Sequence, residues 1–441
     1  MKIQESQDNK EGNVNSNEEI LSWIENLNQT THVDIRETSI NEDSFWFYDD
    51  YKGEVLNRKR SFFSITGLRY FLDDEFVSEQ PIIIQNEIGY LGIIAKEIDG
   101  VLNFLMQAKI EPGNVNCVQI SPTIQATKSN FTRAHGGKLP LYFEWFENAN
   151  ENGRIIYDQI QSEQGSRFKG KRNRNIIILT DKEVPLYSNY KWMTLGQIKM
   201  LMKKDNLVNM DTRTVLSGLF PILNSSSKYT CDITKPYSML NDYKMYHDVH
   251  RTTVPLNELI NWKIDNFGIT NKTKADFCVR YYNIEIQGRE VQKWTQPLFK
   301  ATSNALFVLF TRKTPENGRE FLISLCPEIG CHDKIEFGPS IQLQNKENLS
   351  ENNPMHMVYL NHKQANNGIL TNVILSEEGG RFFHEQNINA IIEVQPDEIE
   401  ISPDMLWVNS ETLGLLLLNN NVLNIQLRNL IALLDIKENV C

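Results

Sequence analysis

The chain has 441 residues, too many for one ordinary core, so two or three structural units are expected. Lys and Arg total 45 against 56 Asp and Glu, a net charge of −11, which argues against nonspecific binding to nucleic acid or an anionic membrane. No run of about 18 apolar residues occurs, so no transmembrane helix is expected, and the polar N-terminus lacks the apolar segment of a signal peptide.

Residues 1–16 are rich in Asn and Glu and read as disordered. EEILSWIENL follows with Ile20, Leu21, Trp23, Ile24 and Leu27 at helical spacing. SFFSITGLRYF, PIIIQ, YLGIIAKEI, VLNFLMQAKI, CVQISPTIQAT and NIIILT then read as strands, rich in β-branched and aromatic residues. Gly92, Asp99-Gly100 and Pro112-Gly113 punctuate them. Alternation from Val101 puts Gln107 and Lys109 on one polar face, suited to a pocket floor. A helix pair closes the unit, with Thr194 expected to cap the first helix and Asp211 the second.

The same pattern recurs 215 positions later, where Trp192, Asn206, Asn209 and Arg213 pair with Trp407, Asn421, Asn424 and Arg428. Upstream, SEQGSRF (162–168) pairs with SEEGGRF (376–382) and SPTIQ (121–125) with GPSIQ (338–342). EEILSWIENL near Trp23 is matched to NELINWKIDN near Trp262. The expected organisation is one ancestral α+β unit written twice, copy one over 17–220 and copy two over 255–437, with a connector at 221–254. Each copy is expected to be a mixed sheet with helices on its flanks.

The six cysteines are scattered, as for reduced cytosolic thiols. CPEIGCH (Cys326 to His332) and HDVH (His247 to His250) match no standard metal-ligand spacing, so no metal site is expected.

The stretch Gln80 to Gly137, together with SEQGSRFKGKRNRNIIIL, WMTLGQIKMLMKKDNLVNMDTRTVL, GREVQKWTQPLF and SEEGGRFFHEQN, resembles the NDP-hexose 2,3-dehydratases over roughly residues 18–434. The resemblance implies two tandem Nudix-like modules, a cytoplasmic homodimer, and dTDP-4-keto-6-deoxyglucose as substrate. The implied product is a 2-deoxy-3,4-diketo sugar nucleotide passed to an NADPH-dependent 3-ketoreductase. The glutamate box of Nudix hydrolases is absent from both copies, so pyrophosphatase chemistry is not expected. The alternative reading is a noncatalytic sugar-nucleotide-binding protein of the same fold.

A 2,3-elimination needs a base at C3, an acid at the C2 hydroxyl and donors to the C4 oxygen. Loss of water needs no redox cofactor, and neither GxGxxG nor a P-loop is present. Glu111, His135 and Lys109 are the catalytic candidates, although Glu111-Pro112-Gly113 also reads as a simple turn. Gln107, Asn114, Gln125, Lys128, Asn130 and Arg133 are candidates for the hexose, and Ser162, Glu163, Arg167, Phe168, Lys171 and Arg172 for the nucleotide end. The cation cluster of that second group suits a diphosphate. Gln342, Ser376, Glu377, Arg381 and His384 would form the corresponding pocket of copy two, which keeps fewer cations and fits a vestigial nucleotide site or dimer surface. Arg213 and Arg428 read as salt-bridge or capping residues.

Overall fold

A computed structural model describes residues 2–131, 139–223, 229–273, 275–289 and 291–435. The first repeat begins with α1 (Ile3–Asp8), α2 (Asn17–Thr30), β1 (Val33–Thr38), β2 (Trp46–Asp49), β3 (Glu54–Asn57), β4 (Ser64–Leu72) and β5 (Glu75–Ile84). It continues with β6 (Gly89–Ile98), β7 (Val101–Ile110), β8 (Val118–Ser121), β9 (Ile124–Ala126), α3 (Lys128–Phe131), α4 (Phe143–Glu147) and α5 (Ala149–Asn152). It closes with β10 (Arg154–Ser162), β11 (Arg172–Thr180), β12 (Tyr190–Thr194), α6 (Leu195–Met202), α7 (Met210–Ser217) and α8 (Phe220–Leu223).

The second repeat runs α9 (Thr234–Tyr246), β13 (Val249–Val254), β14 (Trp262–Asp265), β15 (Gly268–Asn271), β16 (Phe277–Ile286) and β17 (Lys293–Ala301). Then come β18 (Ala305–Thr314), β19 (Gly318–Cys326), β20 (Glu336–Gly338), β21 (Ile341–Leu343), α10 (Pro354–Ala365), β22 (Ile369–Ser376), β23 (Gln386–Glu393), β24 (Met405–Asn409), α11 (Ser410–Leu417) and α12 (Ile425–Ala432). The fold is α+β, and the duplication is real at the level of strand order.

Among the described residues, each repeat builds a mixed seven-stranded sheet. In the first, the path is β10-β11-β6-β7-β12, with β8 on β7, β9 on β6 and a parallel β11/β6 pair. In the second it is β22-β23-β18-β19-β20, with β21 on β18, β24 on β19 and a parallel β18/β23 pair. Two five-stranded sheets are made by exchange. Strand β1 of the first repeat pairs with β16 of the second, and β13 of the second pairs with β4 of the first.

This exchange corrects three expectations. Residues 221–254 are not a mere connector, because α9 and β13 hold the places that α2 and β1 hold in the first repeat. Trp262 opens β14 as Trp46 opens β2, so its counterpart is Trp46 rather than the helical Trp23. Residues 1–16 carry α1, with Ile3 in the core, Ser6 Oγ donating to Leu102 O and Leu195 N donating to Ser6 Oγ. A polar composition had concealed one apolar anchor and a set of backbone hydrogen bonds.

Helix starts follow local capping chemistry. Thr194 and Gln197 form a capping box at α6, as do Ser16 and Glu19 at α2. Helix α7 is capped by Asn209, whose side chain accepts from Thr212 N at 2.8 Å, and not by Asp211. Helix α12 is capped in the same way by Asn424.

One core cluster runs through both repeats, joining Ile93, Phe104 and Val215 to Leu309, Phe321 and Leu427. The helices α7 and α12 meet at its centre. Arg213 and Arg428, expected as salt-bridge or capping residues, are fully buried there and bridge the repeats reciprocally through hydrogen bonds to backbone carbonyls. Arg213 donates to Val208 O and, across the repeats, to Ser376 O, both at 2.9 Å. Arg428 donates to Leu423 O and, in the opposite sense, to Ser162 O.

Substituting Arg428 by Ala leaves buried carbonyls without a charged donor. Chemical denaturation should show a loss of about 3 kcal/mol. An unchanged midpoint would mean that the brace carries no stability.

Candidate active site

The turn after β7 and the turn after β22 meet face to face. Gly113 N donates to Gly379 O at 2.7 Å, and His384 N donates to Gly113 O at 2.9 Å. A Cβ on Gly113 would lie 1.6 Å from Phe382 O, so no side chain fits at this crossing. The pseudo-equivalent crossing runs the other way, with Gly330 N donating to Gly165 O at 2.6 Å and Gly170 N to Gly330 O at 2.7 Å. Each SE-x-G-x-RF turn is therefore delivered to the sheet of the opposite repeat.

The first crossing borders a cavity of about 460 Å³. Copy one lines it with Gln85, Gln107, Lys109, Glu111, Gln125, Glu163, Phe168, Lys171, Asn173 and Asp211. Copy two adds Arg289, Glu378, Gly380 and Arg381. The site is thus composite, and neither repeat contains it alone.

Lys109 Nζ lies 2.5 Å from Glu111 Oε1, and Arg289 Nη1 lies 3.7 Å from Glu111 Oε2. Burial disfavours the Glu111 carboxylate, but the charges of Lys109 and Arg289 outweigh it and hold its pKa below the ordinary value. Asp211 has the opposite setting. Burial, reinforced by the negative charges of Glu163 and Glu378, raises its carboxyl well above the usual range, and its buried Oδ1 has no hydrogen-bond partner among the described residues. Burial and the Glu378 charge likewise push Glu163 up to about 7, while burial brings Lys171 down to about 8.

The remaining walls are held firmly. Glu163 accepts from Asn173 Nδ2 at 2.7 Å. Gln125 accepts from Asn209 Nδ2 at 3.1 Å and donates to Glu378 Oε1 at 3.3 Å. Arg381 lies 4.4 Å over the rings of both Phe62 and Phe63 and donates to Gln85 Oε1 at 3.1 Å. Lys171 Nζ donates to Glu87 O at 2.6 Å.

Of the residues singled out in the sequence, the fold gathers Gln107, Lys109, Glu111, Gln125, Glu163, Phe168, Lys171 and Arg381 around this cavity. It places others elsewhere. Asn114 braces its own turn through Cys117 O at 2.8 Å. Ser162 donates to Glu336, and Arg167 lies buried 4.1 Å over Phe277, facing Glu385. Arg172 pairs with Ser162 across β10 and β11. Lys128 lines a neighbouring cleft. Ser376 accepts from Gln119, Glu377 accepts from Gln164 and Asn387, and the His384 ring stacks on Phe383. Gln342 donates to Glu328 Oε1 at 3.0 Å. Arg133, His135 and the Asn130 side chain lie outside the described residues.

Sequence reading missed Asp211, Glu378 and Arg289. The signal for Asp211 was a charge difference inside otherwise matched helices, since Gln426 occupies its place in α12. The contributions of Glu378 and Arg289 depend on contact between distant segments.

The pseudo-equivalent position in copy two keeps Glu328 and Gln342 for Glu111 and Gln125 but replaces Lys109 by Cys326, Lys171 by Glu385, Asp211 by Gln426 and Glu378 by Gln164. With Lys109 gone, burial and the nearby Glu336 charge push Glu328 up to about 8.

A family model described as NDP-hexose 2,3-dehydratase matches residues 17–219 and again 234–434. A curated dTDP-4-dehydro-6-deoxy-alpha-D-glucopyranose 2,3-dehydratase from Streptomyces violaceoruber is 35% identical over 424 residues, covering 93% of this chain and 95% of that protein. Proteins of the same description from Saccharopolyspora spinosa (35% identical; 88% and 85% covered) and Amycolatopsis orientalis (33%; 95% and 90%) are also similar.

Glu328 offers a test of these electrostatics away from the composite cavity. Between its ordinary pKa of 4.5 and about 8, the unfolded chain has released this proton while the folded chain retains it, so the group costs stability as pH rises. Glu328→Gln removes that cost. Its stability relative to the parent should increase from pH 5 to pH 8, by up to about 1.4 kcal/mol per pH unit, and level off above. A pH-independent difference would contradict the assignment.

Proposed function

The chain belongs to the NDP-hexose 2,3-dehydratase family, and on that premise we propose that it removes the C2 hydroxyl of dTDP-4-keto-6-deoxyglucose in the composite cavity. The observation that carries the site assignment is the pairing in that cavity of Glu111, held below its ordinary pKa by Lys109 and Arg289, with Asp211, raised well above its ordinary pKa by burial, whereas the equivalent position has Cys326 in place of Lys109 and Gln426 in place of Asp211.

Glu111, ionised beside Lys109, takes the C3 proton, which the C4 ketone acidifies. The cations Lys109, Arg289 and Arg381 stabilise the enolate oxygen that develops at C4. Asp211, protonated, donates to the C2 hydroxyl as the C2–O bond breaks, and one water leaves. The resulting C2=C3 enol takes a proton at C2 and becomes the 3,4-diketone. No oxidation or reduction occurs. His135 remains the alternative base, and His135→Asn tests it directly.

In this reading the seven-stranded unit of each repeat is Nudix-like, retained without the glutamate box of the hydrolases. By the same resemblance two copies of the chain form a homodimer, and the free thiols Cys117, Cys231, Cys278, Cys326 and Cys331 fit a reducing, cytoplasmic compartment. Among the described residues no helix is long and apolar enough to cross a membrane. The reactive diketone passes to an NADPH-dependent 3-ketoreductase.

In deuterated solvent, the protein with dTDP-4-keto-6-deoxyglucose should exchange the C3 hydrogen and release one water per turnover, read by NMR and mass spectrometry. Glu111→Gln should abolish both. Asp211→Asn should lower kcat by about 10²–10⁴ while exchange at C3 persists, separating base from acid. Full activity in both variants would move the site elsewhere.

A further inference from the structure

Asp211 gives its proton to the departing hydroxyl, so a different acid must protonate C2 when the enol becomes a ketone. Glu163 is a second buried acid lining the composite cavity. It follows the last residue of β10, and its backbone N–H donates to Lys171 O at 2.9 Å. Its Oε2 accepts from Asn173 Nδ2 at 2.7 Å, whereas its Oε1 is buried without a hydrogen-bond partner among the described residues. Of the charges around Asp211, that of Glu163 acts most strongly, so the two acids stand close together. Burial and the Glu378 charge let Glu163 keep its proton up to about pH 7.

Copy two shows the same carboxyl fully satisfied. Glu377 and Asn387 are the counterparts of Glu163 and Asn173. Asn387 Nδ2 donates to Glu377 Oε1, and Gln164 Nε2, reaching across from the first repeat, donates to Glu377 Oε2. The residue that reaches across in the opposite sense is Glu378, the counterpart of Gln164. An ionised carboxylate has no hydrogen to donate, so Glu163 keeps one oxygen free and meets a like charge where Glu377 meets an amide. Glu378 is itself fixed, its Oε1 accepting from Gly380 N at 2.8 Å and from Gln125 Nε2 at 3.3 Å. Buried carboxyl groups so placed hold a proton between them rather than ionise together.

We propose that Glu163 is the acid that protonates C2 in the second half of the reaction, delivering its proton from the free Oε1. This rests on the reading of the cavity as the hexose site. Once water has left, the C2=C3 double bond carries the C3 hydroxyl beside the C4 ketone. The C2=C3 electron pair takes the proton of Glu163 to form the C2–H bond. The O3–H electron pair becomes the second bond of the C3 carbonyl, and the O3 proton passes to Asp211, which returns to its acid form. Glu111 releases the C3 proton to solvent, and Glu163 regains one from solvent. Because Asn173 fixes Glu163 on one wall, C2 receives its proton on one face.

In deuterated solvent the parent protein with dTDP-4-keto-6-deoxyglucose should place deuterium on a single face of C2, read by NMR after a borohydride quench at early turnover. Glu163→Gln should slow ketonisation at least about tenfold more than water release. The conjugated enolone should then accumulate, seen by its near-ultraviolet absorbance, and C2 should be labelled on both faces as the enolone ketonises in solution. If that variant fails to fold, Glu378→Gln is read by the same criteria, since it supplies to Glu163 the amide that Glu377 receives in copy two. An equal loss of both steps in a folded variant, or single-face labelling without enolone, would overturn the assignment. So would transfer of the substrate's C3 hydrogen to C2, which would make Glu111 the donor. A parent that neither exchanges C3 hydrogen nor releases water would refute the dehydratase reading itself, whereas a parent that does both leaves only the role of Glu163 at stake.

Discussion

The structure turns on the two glycine crossings, Gly113 against Gly379 and Gly330 against Gly165. Backbone lies on backbone there, so neither turn can be displaced without breaking the other. The buried arginines reinforce the same arrangement, since Arg213 and Arg428 each hold the carbonyl that opens the opposing turn. Together with the exchanged strands β1 and β13, these contacts join the two repeats around a shared core. The consequence for chemistry is direct, because the same crossing carries Glu378 and Arg381 of one repeat into the cavity of the other.

Duplication supplied two equivalent crossings, and their side chains have diverged in opposite electrostatic directions. At the first, Lys109, Lys171 and Arg381 stand among four buried carboxyl groups. Desolvation forces those groups to share few negative charges, so one is held ionised by its lysine while others are driven toward the neutral form. At the second, cysteine, glutamine and glutamate replace the cations and the aspartate, and Glu328 is left with burial as its dominant influence. The architecture is preserved in both places, whereas the charge separation useful for acid–base chemistry is present in one.

The described walls of the cavity are held by direct contacts. Gln125 is clamped between Asn209 and Glu378, Arg381 is sandwiched with two phenylalanines, and Asp211 sits in the first turn of a helix whose cap is a different residue. Capping by Asn209 is what leaves the Asp211 carboxyl available to the cavity. Among the described residues one oxygen of this buried acid has no partner, which is costly to folding, and the proposed role of Asp211 as the acid is a physical reason for bearing that cost.

Much of this was legible in the sequence because it is local or periodic. Alternation along Val101–Ile110 placed Gln107 and Lys109 on the cavity side, the repeated SE-x-G-x-RF turn and the matched closing helix pairs exposed the duplication, and long matching motifs identified the family. What escaped was whatever depends on contact between segments far apart in the chain. The exchange of β1 and β13, the anchoring of the N-terminal helix by Ile3, and the arrival of Glu378 and Arg289 beside Glu111 leave no local pattern, since each is fixed by a partner roughly 95 to 270 positions away. The duplication was therefore written in the residues themselves. That its two halves line one composite cavity was decided by tertiary structure, because only a glycine without a side chain lets the two backbones meet closely enough to bring their charges together.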